Sequence, residues 1–391
     1  MSKRGDKKTP ELRFSEFSDH WAFLKLKNVA SIQTGLAKGG KDIKEPIKMP
    51  YLRVANVQEG YLDLSVVKEI VVEKEKMERY LLQYGDVLLT EGGDFDKLGR
   101  GTVWRNQIKN CLHQNHVFVV RPYKKNLLPE YLEEVARSSY GKRYFQLASK
   151  QTTNLATINS TQLKDFPVPL PSVGEQSRII QFLSAIASKI DQLRRKHELL
   201  QTYKRGVMQK LFSQEIRFKQ DDGSDFPDWE KRKLGELFTI RYGKDHKELK
   251  SGEYPVLGTG GVMRYVDAYL YDKPSILIGR KGTIDQPQFI TYPFWTVDTL
   301  FYSEINSDVV PFFLFLIVQS INWRMYNEAT GVPSLNTSSI NNVKVVIPSS
   351  NGEQERIANF IDSLDQKIST LYKRIDHIKK FKKGLLQKMF V

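Results

Sequence analysis

Residues 174–183 read GEQSRIIQFL and residues 352–361 read GEQERIANFI; residues 204–212 (KRGVMQKLF) return in the same way as 382–390 (KKGLLQKMF). Aligned without a gap at an offset of 178 residues, fourteen of the thirty-nine positions from 174 to 212 are identical, more than chance produces. A repeat of fixed period marks two copies of one structural unit, and this period is long enough to hold a domain between the copies. The chain reads as two modules, each a domain followed by a helix, which suggests a bipartite target.

Each copy follows a proline and a capping signature, Pro171, Ser172 and Glu175 in the first and Pro348, Ser350 and Glu353 in the second. Serine followed three residues later by glutamate lets hydroxyl and carboxylate satisfy two orphan backbone N–H groups reciprocally. Beyond the caps, apolar residues step by seven. Ile179, Ile186, Leu193, Leu200 and Val207 form one line of the first helix, with Leu183, Ile190 and Leu211 on another. In the second helix the lines are Ile357, Leu364, Leu371, Ile378 and Leu385, and Ile361, Ile368, Ile375 and Met389. Such a seam predicts a coiled-coil helix of about 38 residues, roughly 57 Å long. So narrow a stripe needs a partner helix. The intervening domain lets the chain return and pair the copies antiparallel, with Ile186 and Leu364 expected to face each other and the two domains held at opposite ends of a rigid spacer. His197, Lys204 and Lys382 interrupt the seam, either as solvated, snorkelling side chains or as register markers.

The 391 residues suffice for two or three domains without small-domain staples. A single cysteine, Cys111, excludes an internal disulfide and fits a reducing cytoplasm. The opening MSKRGDKKTPELRF lacks the apolar stretch of a signal peptide. The most apolar run, VVPFFLFLIV at 309–318, is about half the length a membrane span requires and reads as a buried core helix. A net charge of +15 points to a polyanion, nucleic acid before membrane, because no lipidation motif or basic amphipathic terminus is present. Residues 174–217 hold nine basic and four acidic residues, and residues 353–391 nine and five. These helices either carry simple solvated charge or lie over phosphate or an acidic partner helix.

Between the helices a weaker repeat is visible. RFSEFSDHW with Lys25-Leu26 returns as RFKQDDGSDFPDW with Lys233-Leu234, Gly35 returns as Gly243, and a helix opening at Pro129 (PEYLEEVARS) matches one opening at Pro311 (PFFLFLIVQS). Short strands such as 87–89, 117–120 and 276–278 alternate with glycine-rich turns. The expected fold is mixed α/β (α+β): two domains with curved mixed sheets at residues 1–170 and 217–348, and long helices at 171–216 and 349–391. The copies differ most in their loops. The first domain offers Arg53, Asn56, Lys97, Arg100, Arg105, Gln114 and Asn115; the second offers Lys244, His246, Arg264, Arg280, Lys281 and Asp298. Arginine and lysine pair with guanine, asparagine and glutamine with adenine, and adjacent glycines admit close approach to phosphate. The alternative for each is a turn with solvated charge.

The GEQxRI start after a proline, the KxGxxQKxF ending and the two copies, each following a variable domain, resemble the specificity subunit of type I restriction–modification enzymes. The strings LTEGGDFDKLGRG and IGRKGTIDQP with PFWTVDTLFY are similar to that family's target-recognition domains. The resemblance covers nearly the whole chain. It implies two target-recognition domains, each reading one half of an interrupted double-stranded DNA site, with the helices as a ruler that also docks partners. Those partners are two modification subunits that methylate adenine with S-adenosylmethionine and two restriction subunits that move and cut DNA with ATP and magnesium. It further implies a non-catalytic chain without a cofactor of its own, working in the bacterial cytoplasm.

Catalytic signatures are sparse. There is no Pro-Pro dipeptide for a base-flipping methyltransferase tetrapeptide, and Gly39-Gly40-Lys41-Asp42 lacks the spacing and hydroxyl residue of a phosphate loop. Asp228 with Glu248 and Lys250 is a short nuclease-like pattern able to hold magnesium. Cys111, His113 and His116 offer three metal ligands without a fourth. Two competing readings therefore stand beside the recognition scaffold: a self-sufficient magnesium-dependent nuclease, and a coiled-coil adaptor that binds no DNA.

Overall fold

The computed structural model describes residues 9–390 apart from 38–42, 44, 94, 96, 97 and 152–155. The chain divides into two compact units, one of residues up to 195 together with 372 onward, the other of residues 196–371. The division crosses both long helices, Val173–Phe212 and Asn351–Met389, so each unit contains a sheet domain and a part of each helix.

The first unit is built on a four-stranded antiparallel sheet in the order Ala30–Thr34, Val117–Pro122, Val87–Thr90, Gly101–Val103. A second sheet has the order Lys68–Glu73, Pro46–Leu52, Leu112–His113, its last pair parallel. Ala22–Lys25 pairs antiparallel with Pro167–Leu170. The second unit repeats these three sheets, while the first also holds a small sheet in the order Lys150–Gln151, Ala156–Thr157, Gly92–Gly93. Phe238–Tyr242, Leu300–Ile305, Ser275–Gly279 and Gln288–Ile290 follow the first order; Gly261–Val266, Tyr254–Gly258 and Trp295–Thr296 the second; Trp229–Lys233 pairs with Lys344–Pro348. The weak sequence repeat is thus a repeat of topology.

Central strands are apolar at successive positions because the main sheet is buried on both faces. Side chains alternate across a strand, and here each face meets its own core. Val87, Leu89, Phe118 and Val120 join the large cluster that also holds the helices, while Leu88, Val117 and Val119 pack with Leu52, Trp104 and Cys111. In the second unit Ile276, Ile278 and Phe301 face the helical core, and Leu277, Leu300 and Tyr302 the other. The paired glycines also have a physical reason. A Cβ on Gly35 would stand 2.3 Å from the His113 carbonyl oxygen, and one on Gly243 2.1 Å from that of Val297. Both positions let the chain pass against the neighbouring backbone, which no larger residue permits.

Within each unit the helix segments run antiparallel. Ile179 and Leu183, near the start of one helix, share a core with Leu385 and Met389 at the end of the other. In the second unit Leu211 packs with Ile357, Ile361 and Leu364, and Lys204 Nζ reaches both carboxylate oxygens of Asp365 at 2.6 and 2.7 Å. Along the expected seam, Ile179, Leu183, Ile190, Leu193, Ile357, Ile361, Leu364 and Ile375 are buried, and Ile186, Leu200, Ile368, Leu371 and Ile378 half-buried. The expected facing of Ile186 and Leu364 is corrected: Ile186 packs against the first unit's core and Leu364 lies in the second's. In an antiparallel pair, residues equivalent in the repeat fall at opposite ends.

The expected capping boxes are also corrected. Ser172 Oγ accepts the Glu175 N–H at 3.2 Å, but the carboxylate does not return to the cap. It takes two hydrogen bonds from Arg13, Nε to Oε1 at 2.7 Å and Nη2 to Oε2 at 2.8 Å. Glu353 does the same with Arg217 at 3.0 and 2.8 Å, and also accepts from Trp229 Nε1 at 3.1 Å. The neighbouring glutamine has its own task. Gln176 Oε1 accepts the Leu128 N–H at 2.9 Å, just before the helix Pro129–Arg137, and its amide donates to the Asn126 and Pro171 carbonyls at 2.8 and 3.0 Å. Gln354 holds Val310 N–H and the Pro348 carbonyl in the same way, at 2.9 and 3.0 Å, before the helix Pro311–Ser320. A helix begins with N–H groups that its own turns leave unpaired, and in both modules the GEQ glutamine supplies an acceptor next to that end.

Candidate nucleic-acid interface

In the second unit, three loops converge. The segment after Phe238–Tyr242, the turn between Tyr254–Gly258 and Gly261–Val266, and the segment before Leu300–Ile305 enclose a cleft of about 870 Å³ lined by Lys244, His246, Lys247, Thr259, Met263 and Asp298. Lys244 is held from behind, its N–H donating to the Thr296 carbonyl at 2.8 Å and its own carbonyl accepting Trp295 Nε1 at 2.9 Å, while the side chain is exposed. His246 Nδ1 is buried without a hydrogen-bond partner among the described residues. Asp245 accepts the N–H groups of Lys247 and His246, which hold its carboxyl below the usual carboxylate range.

Arg280 adjoins this cleft. Its Nη1 donates to the Asp298 carbonyl at 3.3 Å, and its guanidinium sits 5.5 Å from the centre of the Tyr242 ring. Lys281 is exposed beside it. Arg264 is engaged internally, Nη2 donating to the Leu249 carbonyl at 3.0 Å, and props the neighbouring loop. The structure therefore brings Lys244, His246, Arg280 and Asp298 together and assigns Arg264 a supporting contact. Sequence reasoning missed Val262, Met263 and Tyr265, which stand 50, 59 and 54% exposed on the glycine-started hairpin. No alternation marks them in the sequence, since Val262 and Met263 are neighbours in the strand. Exposed apolar groups of this kind suit contact with a thymine methyl.

The first unit distributes its expected residues differently. Asn56 is corrected: it is 3% exposed, its Oδ1 accepts the Arg53 N–H at 2.9 Å, and its amide donates to the Asp63 and Val66 carbonyls at 2.8 and 3.0 Å. An amide so fully used shapes the loop. Arg53 is half-buried, with Nε lacking a partner among the described residues. Arg100 donates to Gln58 Oε1 at 3.2 Å and the Val54 carbonyl at 3.3 Å. Arg105 is exposed, 3.8 Å from Glu130. Gln114 and Asn115 are half-buried in the turn before Val117–Pro122, next to His116, whose Nδ1 lies 2.5 Å from Glu91 Oε2. Lys97 and the Gly39-Gly40-Lys41-Asp42 cluster lie outside the described residues.

The chemistry of the remaining candidates is plain. Burial pushes the Cys111 thiol up to about 12 and the His113 imidazole down to about 4, and His113 Nδ1 is 2.8 Å from the Val117 carbonyl. Both belong to the interior. Asp228 is fully exposed, 3.9 Å from Arg217. Among the described residues no three Asp, Glu, His or Cys side chains gather as a metal would need, and no helix is long and apolar enough to cross a membrane.

Residues 18–201 and 227–380 each match the family described as the type I restriction modification DNA specificity domain. The putative type I restriction enzyme MjaX specificity subunit of Methanocaldococcus jannaschii is 25% identical over 402 residues, covering 95% of this chain and 93% of that one. The type I restriction enzyme EcoKI specificity subunit of Escherichia coli is 28% identical over 176 residues, covering 44% of this chain and 38% of that one. Among solved structures, the type I restriction–modification S subunit from M. genitalium superposes with a TM-score of 0.60 at 16% identity, covering 98% of this chain and 99% of that one. The HsdS subunit from Thermoanaerobacter tengcongensis gives 0.53 at 16%, covering 95% and 96%. At such identity the likeness is one of fold.

Proposed function

This chain belongs to the type I restriction–modification DNA specificity family, and from that premise we propose how it divides the work: each sheet domain reads one half of an interrupted duplex, and the paired helices set the distance between the halves. One observation supports this above the others. The two units share strand order down to the parallel edge pair, yet carry different residues at corresponding strand ends: Leu36, Glu91 and Asn115 in the first stand where Lys244, Arg280 and Asp298 stand in the second. A kept scaffold with changed loops is what two readers of different sequences require.

The helices, at 40 and 39 residues, are each about 60 Å long. Half-sites read from one DNA face fall about one helical turn apart, roughly 34 Å or 10 base pairs. The chain does no chemistry in this reading. Two modification subunits supply adenine methylation with S-adenosylmethionine, two restriction subunits supply ATP- and magnesium-dependent movement and cutting, and the complex acts on DNA in the bacterial cytoplasm. The sheet-side loops read the bases, and the helices dock the modification subunits.

The test is a domain exchange read by methylation. Residues 217–348 are replaced by the corresponding domain of a relative, the chain is assembled with its modification subunits, and the methylated motif is mapped. One half of the motif should change while the other half and the spacer stay. Removal of one heptad from each helix should alter the spacer alone. A motif that changes in both halves on domain exchange, or a spacer indifferent to helix length, overturns the reading.

A further inference from the structure

A second cleft lies wholly inside the first unit, where the loop at residues 59–61 and the helices Pro129–Arg137 and Ser139–Ala148 approach residues 187–194 and 379–387 of the long helices. It encloses about 950 Å³. Its charged lining consists of six cations (Arg137, Lys142, Arg194, Lys379, Lys382 and Lys383) and the two carboxylates Glu59 and Asp191. With six cations against two carboxylates, the cleft suits an extended anion.

Four of the cations are matched. Lys142 lies 2.6 Å from Glu59, Arg194 3.2 Å from Asp191, and Arg137 and Lys382 each 3.5 Å from a carboxylate of Glu133 or Glu134 on the helix beneath. Lys379 and Lys383 are exposed and form no ion pair among the described residues. Four residues apart, they share a helix face and stand about 6 Å apart along the axis.

The cleft also continues toward the recognition loops. Glu59, Tyr61, Arg137 and Lys142 line a smaller cavity of about 180 Å³ as well, which reaches Gln58 and Arg100. Gly60 makes this passage close-fitting: its φ is +82°, and a Cβ there would lie 2.5 Å from Arg137 Nη1. The second unit has no equal of the surplus charge. Lys204, the repeat counterpart of Lys382, is taken up by Asp365 at 2.6 Å; Lys379 corresponds to the uncharged Gln201, and Arg205, the counterpart of Lys383, donates to Thr202 Oγ1 at 3.3 Å.

We propose that this cleft holds the phosphodiester backbone of DNA beyond the bases that the first domain reads, with Lys379 and Lys383 each neutralising a phosphate. The assignment rests on the DNA-reading role given above. It makes the first half-site the better anchored, because the contact is independent of sequence.

The experiment compares wild type, the K379Q/K383Q variant and the K379R/K383R variant, each assembled with its modification subunits, on the duplex that the wild-type complex methylates. Affinity is measured across a salt series. Each lost phosphate contact removes about 0.9 from the slope of log K against log salt, so the glutamine variant should show a slope shallower by about 1.8. The arginine variant should keep the wild-type slope. The preference for the target over a duplex with one recognised base changed should be the same in all three. An unchanged slope in the glutamine variant overturns the proposal, and so does release of the modification subunits at unchanged slope, which would assign the lysines to an acidic protein segment. Failure of wild type to distinguish target from altered duplex would instead bring down the recognition reading itself.

Discussion

Arg13 grips Glu175 side-on through two parallel hydrogen bonds, 2.7 and 2.8 Å long, across 162 residues of sequence. Arg217 and Glu353 repeat the pair. Only 2% of the Glu175 side chain and 14% of Arg13 are exposed, so the pair is shielded from water and the loss of one partner strands the other. Removing one member of such a buried pair costs about 3 to 5 kcal/mol. Glu175→Gln should therefore lower the unfolding free energy by about 3 kcal/mol in denaturant titration, and replacing both residues by leucine should recover a large part of it. A single-variant loss below about 1 kcal/mol, the range of an exposed ion pair, would show that the pair does not hold the module together.

Gln176 is a separate case, because it carries no charge. Its amide satisfies one N–H and two carbonyl groups at a buried junction. Gln176→Ala leaves those groups without partners, at about 1 to 3 kcal/mol for each one that water does not reach. Hydrogen exchange should localise the effect: the Leu128 amide and the first turn of Pro129–Arg137 should lose protection while the central strand Val87–Thr90 keeps its own. Uniform loss of protection would mean that the contact is not local.

These two motif residues show how far sequence carried the reading. Periodicity is a local property, so the long helices were visible from single residues at spacing seven. The fold class and the duplication followed from the same kind of pattern. The partner of Glu175 was not visible, because Arg13 is distant in the chain and a serine at the right spacing suggested a nearer one. Ile186 and Leu364 were misplaced for a related reason, since repeat equivalence says nothing of the direction in which two helices pair. Among the loop candidates, composition separated neither the buried Asn56 from the exposed Arg105 nor the internally bonded Arg264 from the exposed Lys244. Burial and hydrogen bonding depend on the whole fold.

His113 gives the first unit a dependence on pH. Burial lowers its folded-state value to about 4 from an ordinary 6.5. Between those limits the unfolded chain binds a proton that the folded chain refuses, so stability is fully present above pH 6.5, declines as the pH falls, and levels off below about 4. At 1.36 kcal/mol per pH unit the full loss is about 3 kcal/mol. His113→Gln keeps a side chain able to donate toward the Val117 carbonyl but does not titrate. The difference in unfolding free energy between wild type and this variant should shrink or reverse in favour of the variant as the pH is lowered from 7 to 4.5. Parallel curves would place the proton uptake elsewhere.

Asn56 and Arg280 were equal candidates by residue type, and their surroundings now separate them. Asn56 is enclosed with its hydrogen bonds complete, so Asn56→Ala should destabilise the first domain by about 1 to 3 kcal/mol and leave the methylated motif intact. Arg280 rests on Tyr242 beside the cleft that Lys244 and Asp298 line, where a guanidinium has room to meet a base edge or a phosphate. Arg280→Ala should leave the unfolding free energy within about 0.5 kcal/mol of wild type and weaken binding by about 1 to 3 kcal/mol if it meets a base. Competition with duplexes altered in one half or the other decides between the two kinds of contact. For a base contact, the variant loses discrimination at one position of one half-site. For a phosphate contact, it loses affinity for every duplex alike and its salt slope falls by about 0.9. An Arg280 variant with wild-type affinity, slope and motif would remove the cleft at Lys244 from the recognition surface.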